Sequence, residues 1–289
     1  MSFHNHRDSS PSLISELPPN CTPQAFTTMD SLITAAHTIQ PQLTTNSTGN
    51  KNQYLLVQNL PQAIIDNLIE DKNALDGIPF RFTFEGSTGL IKIIPAEHTA
   101  VTRKLAETIL QECLLAGVPS KEEIHWAGVG AGAAPTTYKV VTGANDKDKG
   151  KQPDESFLPL TRQPSGWPTL VIESGLPESM QCLREDAKWW FENSAGAVHT
   201  VLILGINTDT KTIEMERWRY TRTSACAVEV PDLAQSVTIT PMGIEGGVPV
   251  KIPFWELFGR APRWEDEERD ILLGGVRGWL MLLGFRPSG

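Results

Sequence analysis

From Ile78 to Glu85 the chain alternates, with Phe80, Phe82 and Phe84 on one face and Arg81, Thr83 and Glu85 on the other, the period of a half-buried strand. Gly86-Ser87-Thr88-Gly89 turns it into a second strand, Leu90 to Ile94, and a hairpin is predicted. The period then changes. Val101, Leu105, Ile109 and Cys113 recur every four residues until Gly117 and Pro119, so Glu97 to Ala116 is predicted as an amphipathic helix. Upstream, Leu60-Pro61 opens a short helix carrying Ala63, Ile64, Leu68 and Ile69.

A second block follows the same logic. Glu155 to Leu158 predicts a short strand with Asp154 at its entrance, and Thr169 to Glu173 a nearly all-apolar strand of the kind covered on both faces. Glu173 closes that run. Burying it unpaired would cost several kcal/mol, so it needs a cation, a hydrogen-bond network or an altered protonation state. Gly175 and Pro177 break the strand, and Met180, Leu183, Ala187 and Trp190 then mark a helix stripe. On a helical wheel Arg184 sits beside that stripe, Lys188 lies one turn beyond on the same edge, and Trp189 points nearly opposite. Val198 to Ile206 is again a buried strand, which makes strand, helix and strand a parallel crossover. Further strands are predicted over Thr212 to Tyr220, Ala225 to Val230 and Val237 to Thr240. A last helix is predicted over Glu265 to Leu283, with Ile271, Leu272, Val276 and Leu280 on one side. The fold class is α/β in the α+β sense, a central mixed sheet flanked by helices with C-terminal strands and a terminal helix added.

Composition bounds what this fold can do. The 289 residues, 40% of them hydrophobic, suffice for a substantial core. Residues 1 to 52 are rich in Ser, Thr, Pro, Asn and Gln and are expected to be a weakly structured tail, with a short helix allowed near Thr28 to His37. Residues 53 to 289 form the packed domain. The net charge of -9 argues against a broad electrostatic grip on nucleic acid, so any polyanion contact must be local. Cys21, Cys113, Cys182 and Cys226 have no zinc-type spacing and are expected as free thiols. With no signal peptide and no long apolar span, the expectation is an intracellular protein, cytoplasmic or nuclear, neither secreted nor in a membrane. The sequons at Asn20 and Asn46 are then chance matches. Gly128 to Ala133 fits a relaxed dinucleotide fingerprint but lacks the strand and helix that such a site requires. Asp146 to Lys151 is expected as a solvated loop.

The chemistry concentrates between Pro153 and Lys188, where two carboxylates near adjacent strands, with a cation beyond them, can build a divalent-metal site. The ordering resembles a known family. Phe82-Thr83-Phe84-Glu85-Gly86 is similar to its acidic hairpin, Pro95-Ala96-Glu97-His98 to the entry of its first helix, and Pro153-Asp154 to its Pro-Asp. Val171-Ile172-Glu173-Ser174 is similar to its second acidic strand, and Leu176-Pro177-Glu178-Ser179 to the turn that follows. With the helix Arg184 to Phe191 and the strand Val198 to Leu204, the stretch Phe80 to Ile206 resembles the Uma2-type branch of the PD-(D/E)XK nuclease superfamily, in its fungal version.

That resemblance implies a restriction endonuclease-like core over about residues 78 to 206, a C-terminal extension over 207 to 289, and Mg²⁺- or Mn²⁺-dependent hydrolysis of phosphodiesters in DNA or RNA. It implies Asp154 and Glu173, with the carbonyl of Ser174 and with Glu85, as metal ligands. The usual lysine position is Gly175, so Lys188 from the following helix becomes the expected substitute and Arg184 the runner-up. His98 is an auxiliary donor. Each has a plainer reading: Asp154 as a turn cap, Lys188 as a solvated helix residue, His98 as structural. A catalytically degenerate protein that binds protein or nucleic acid without cleaving stays open alongside the nuclease, and a homodimer is compatible with either.

Overall fold

Two six-stranded mixed sheets, a two-stranded ribbon and five helices make up the residues described in the computed structural model, namely residue 17 and residues 21–44, 51–118, 136–140, 148–162, 166–222, 229–263 and 268–274. The first sheet contains β1 (Gln24–Ala25), β2 (Tyr54–Gln58), β3 (Phe80–Glu85), β4 (Thr88–Ile93), β5 (Tyr138–Val140) and β6 (Lys149–Lys151), in the order β1-β2-β4-β3-β6-β5. The predicted hairpin is β3 against β4, antiparallel. The second contains β7 (Glu155–Phe157), β8 (Leu170–Gly175), β9 (Thr200–Asn207), β10 (Thr212–Arg222), β11 (Glu229–Thr240) and β12 (Gly243–Gly246), in reverse numerical order. Here β8 and β9 are parallel. They are linked through α4 (Met180–Asn193), the predicted crossover. β13 (Val250–Ile252) and β14 (Ile271–Leu273) form the ribbon.

Helices cover these sheets as the apolar periods require. α1 (Met29–Thr44) and α2 (Gln62–Glu70) bury Leu32, Ala36, Leu43, Ile65 and Leu68 against Phe82, Ile91 and Ile93 of the first sheet. α3 (Ala96–Leu115) and α5 (Phe254–Phe258) cover one face of the second sheet, including Leu170 and Ile172. α4 covers the other, with Leu183, Ala187 and Trp190 on Val171 and Val201. Consecutive residues of β8 therefore face different helices, which is why the strand reads as continuously apolar. No helix among the described residues is long and apolar enough to cross a membrane.

Four expectations change. Arg81 and Thr83 are buried, so β3 is covered on both faces, because its second face meets the junction with the other sheet. The packed chain starts with β1 and α1, ahead of Gln53, and the helix allowed near Thr28 extends to Thr44. Lys149 to Lys151 are strand β6 with Lys151 buried, since pairing with β3 pulls them from solvent. Ile271 to Leu273 are a strand, because β13 offers a partner edge. Glu268, Arg269, Asp270 and Gly274 beside that strand are not helical either, while residues 265–267 and 275–283 of the predicted terminal helix, the Gly128 to Ala133 run, Cys226 and the sequons at Asn20 and Asn46 lie outside the described residues.

Gly89 shows how tightly the hairpin sits on its neighbours. A Cβ there would stand 2.5 Å from Leu60 Cδ1 and 2.6 Å from Phe82 Cε2. The entropic gain of Gly→Ala is about 0.4–1 kcal/mol where the backbone accepts it. Overpacking costs about 1–3 kcal/mol. Gly89→Ala is therefore expected to lower stability, read as a reduced urea midpoint at unchanged m-value.

Candidate active site

A charge inside an apolar run marks both sides of the site. Glu173 ends the apolar part of β8, and Lys92 interrupts Leu90-Ile91-Lys92-Ile93 on β4. The register places Tyr54 and Arg81 directly opposite Lys92, on β2 and β3, so the three side chains form one row across the first sheet. That row faces the second sheet. Lys92 Nζ lies 3.0 Å from Asp154 Oδ2 and 3.0 Å from Glu173 Oε2. The exposures of Asp154, Glu173 and Lys92 are 3%, 1% and 6%, so the triad is cut off from bulk water.

Each member is held from behind. Arg81 donates from Nε to the carbonyl of Pro153 at 2.7 Å and from Nη2 to that of Asp154 at 3.0 Å, fixing the Pro-Asp backbone. Its Nε also lies 3.6 Å from Asp154 Oδ1. The backbone N–H and hydroxyl of Ser174 donate to Asp154 Oδ2 at 2.7 and 2.8 Å. Trp190 Nε1 donates to Glu173 Oε1 at 2.9 Å. Lys151 on β6 pairs with Asp186 of α4. The aromatic nest behind Trp190 includes Tyr138, Trp167 and Trp189, whose ring centroids lie 5.6, 6.0 and 5.1 Å from that of Trp190.

Burial and charge separate the two acids. Burial opposes the ammonium of Lys92, but Asp154 and Glu173 outweigh it and hold the group protonated well above the usual lysine range. For Asp154 burial acts upward, yet Lys92, Arg81 and Ser174 bring its carboxyl below the ordinary value. Burial wins at Glu173, raising its carboxyl despite Lys92 and Lys151. His98, in the first turn of α3, is pushed down to about 4 by burial, with Asp154 opposing and Lys92 adding to the shift, so it is neutral near pH 7.

Of the residues read from sequence, Asp154, Glu173 and Ser174 come together and His98 stands beside them. The others do not. Lys188 is paired with Glu185 at 2.6 Å and is partly exposed. The reason is helical geometry: Trp190 faces Glu173, and a residue two positions away is rotated by about 200°. Arg184 is bound to Glu216 of β10, with Nη2 2.7 Å from Oε1. Glu85 pairs with Lys149 at 3.4 Å, four residues along β3 from Arg81 and hence about 13 Å from the row. The contacts of Ser174 to Asp154 come from its N–H and hydroxyl. Lys92 and Arg81 were missed, although a lysine within an apolar strand is the same signal that singled out Glu173.

Two carboxylates converging on one cation offer the hard oxygen donors that Mg²⁺ or Mn²⁺ takes. Asp154 Oδ1 is buried without a hydrogen-bond partner, an acceptor left open in that donor set. Among the described residues no three His, Cys, Asp or Glu side chains form a complete cage. Mg²⁺ commonly binds through one or two carboxylates with water and substrate oxygens, and of this pair Asp154 Oδ1 is the oxygen left open to it, the others being engaged by Lys92, Ser174 and Trp190. No family model, curated protein or solved structure matches the chain.

Removing the central cation would leave two buried carboxylates facing each other. Lys92→Met is expected to cost about 3–5 kcal/mol near neutral pH. The sign with pH follows from Asp154, whose lowered carboxyl contributes stability that is full above the unfolded carboxyl range, begins to fall there and is lost as pH drops through the folded value. The variant lacks that contribution, so its deficit should be widest at about pH 7 and shrink towards about pH 4. Urea denaturation at both pH values checks this.

Proposed function

We propose that the chain is a metal-dependent phosphodiesterase acting on nucleic acid, built on a restriction endonuclease-like core in which Lys92 takes the part expected of Lys188. One observation carries this reading: Asp154 and Glu173, from adjacent strands, converge at 3.0 Å on the same lysine ammonium. The order β7, β8, α4, β9, with β8 and β9 parallel, supports it.

Asp154 and Glu173 would hold Mg²⁺ or Mn²⁺, which when bound polarises a phosphate oxygen and lowers the pKa of a coordinated water. The remaining chemistry belongs to the chain. Lys92 offers a fixed positive charge where negative charge develops on phosphorus. Ser174 and Arg81 fix Asp154, and Trp190 fixes Glu173, so neither carboxylate has to reorganise. Burial raises the carboxyl of Glu173, whereas Lys92, Arg81 and Ser174 lower that of Asp154, so Glu173 is the more basic of the pair.

A second reading rests on charge. Two acids, Asp154 and Glu173, are already balanced by two cations, Lys92 and Arg81, and all four are buried. Lys92 would then stand permanently in place of a metal, leaving a nuclease-like fold that binds without cleaving.

Cleavage of single- and double-stranded DNA and RNA with Mg²⁺ or Mn²⁺ separates the two. The nuclease reading expects cation-dependent cleavage that falls by about 10²-fold or more in Glu173→Gln, on the scale of losing one preorganised electrostatic group. Lys188→Ala is expected to cleave like wild type. Cleavage that survives Glu173→Gln, or a wild type inert with both cations and showing no heat on their titration, overturns it.

A further inference from the structure

Several buried polar atoms around the Lys92 ammonium have no hydrogen-bond partner: the hydroxyl of Tyr54, Nε2 of His98, Nε2 of Gln53 and Oδ1 of Asp154. Leaving such a group unmade costs about 1–3 kcal/mol each. Their concentration in one place is what a ligand-binding cavity produces and what a scaffold avoids. Tyr54 reaches the place through register, directly opposite Lys92 on the neighbouring strand. Its phenol is near enough to feel the charges of Lys92 and Asp186. His98 arrives from the other side, at the start of the helix that follows β4, and feels Asp154 and Lys92. Gln53 uses its Oε1 to accept from the N–H of Leu176 at 3.4 Å, leaving its amide nitrogen free. Ser179 Oγ, on the turn after β8, is also buried and unpartnered.

Apart from Asp154 Oδ1, which can only accept, these atoms can all donate. A phenol and a carboxamide nitrogen have hydrogens to donate, a neutral imidazole nitrogen can carry one, and Lys92 adds the one N–H that it does not give to Asp154 and Glu173. Donors gathered round an ammonium suit an oxyanion with several acceptor oxygens. We infer that Tyr54, His98 and Gln53, with Lys92, form a pocket for the non-bridging oxygens of a phosphoryl group, and that Tyr54 is a substrate-binding residue donating to one of them. The inference rests on the phosphodiesterase reading for its substrate class and adds to it the residues that hold the phosphate.

Tyr54→Phe removes a hydroxyl whose one hydrogen-bonding neighbour in the free protein is the Gln53 side chain, so it should leave the urea midpoint nearly unchanged. The probe is inorganic phosphate, with binding to wild type and Tyr54→Phe measured by calorimetry in the absence of divalent cations. Phosphate is expected to bind wild type, and the variant about 10-fold or more weakly, the loss of one hydrogen bond to a charged acceptor. In cleavage assays KM for the nucleic acid should rise by a similar factor. Equal phosphate affinity in the two proteins, no binding to wild type, or a lowered urea midpoint in Tyr54→Phe would each overturn the pocket. The two readings fail separately. Tyr54-dependent phosphate binding by a protein that cleaves nothing keeps the pocket and removes the nuclease, whereas cleavage with unchanged KM and phosphate affinity in Tyr54→Phe does the reverse.

Discussion

One lysine ammonium joins the two sheets. Lys92 leaves β4 of the first sheet and meets carboxylates from the entrance of β7 and the end of β8 in the second. Bringing three charged groups out of water costs several kcal/mol per ion, which their attraction offsets only when geometry and further hydrogen bonds are good. Those conditions hold here. Arg81 clamps the backbone beneath Asp154, Ser174 donates twice to its carboxylate, and Trp190 donates to Glu173. A shift of either sheet by one residue would turn Lys92 or Glu173 to the opposite face, so the charge network also fixes register.

The same network makes the two acids unlike. Asp154 is held ionised by two cations and two Ser174 donors, whereas Glu173, against Trp190 and the α4 stripe, has its carboxyl raised by burial. Opposite shifts in neighbouring carboxyls reflect different surroundings, burial at one and nearby cations and donors at the other. Here the difference follows from placement. Ser174 and Arg81 both act at Asp154, while the single donor to Glu173 Oε1 is an indole on the helix that covers the strand.

The elements were legible because their periods are dictated by covering layers. Val101, Leu105, Ile109 and Cys113 read as one helix face and are one in α3, and the run from Leu170 to Ile172 reads as a doubly covered strand and is one in β8. Glu173 was legible as buried for the same reason. Side-chain partners across sheets were not. The alternation of β3 gives Arg81 a polar face, and only the packing of a second sheet on that face makes it an internal clamp. The resemblance implied Lys188 as the helical substitute for a lysine at Gly175, but α4 turns Trp190 to the site and Lys188 to Glu185. Lys92, 62 residues before Asp154, is brought there by pairing between strands that no local pattern specifies.

A second buried ion pair shows what distinguishes the first. Glu256 of α5 accepts from Arg217 of β10 at 2.6 Å and from the hydroxyl of Thr200 through the same oxygen. There the unpartnered buried atom is a donor, Arg217 Nε, beside an acid that is already engaged. That arrangement is a tie between α5 and the sheet, with the spare hydrogen on the group that holds its charge under all conditions. Around Lys92 the spare atoms include a carboxylate oxygen and the polar ends of Tyr54, Gln53 and His98. A network that served only to join two sheets would be satisfied by its own members, as charges in low dielectric demand. The surplus of open donors and an open acceptor at the same place separates the network of Asp154, Glu173 and Lys92 from the tie between Arg217 and Glu256.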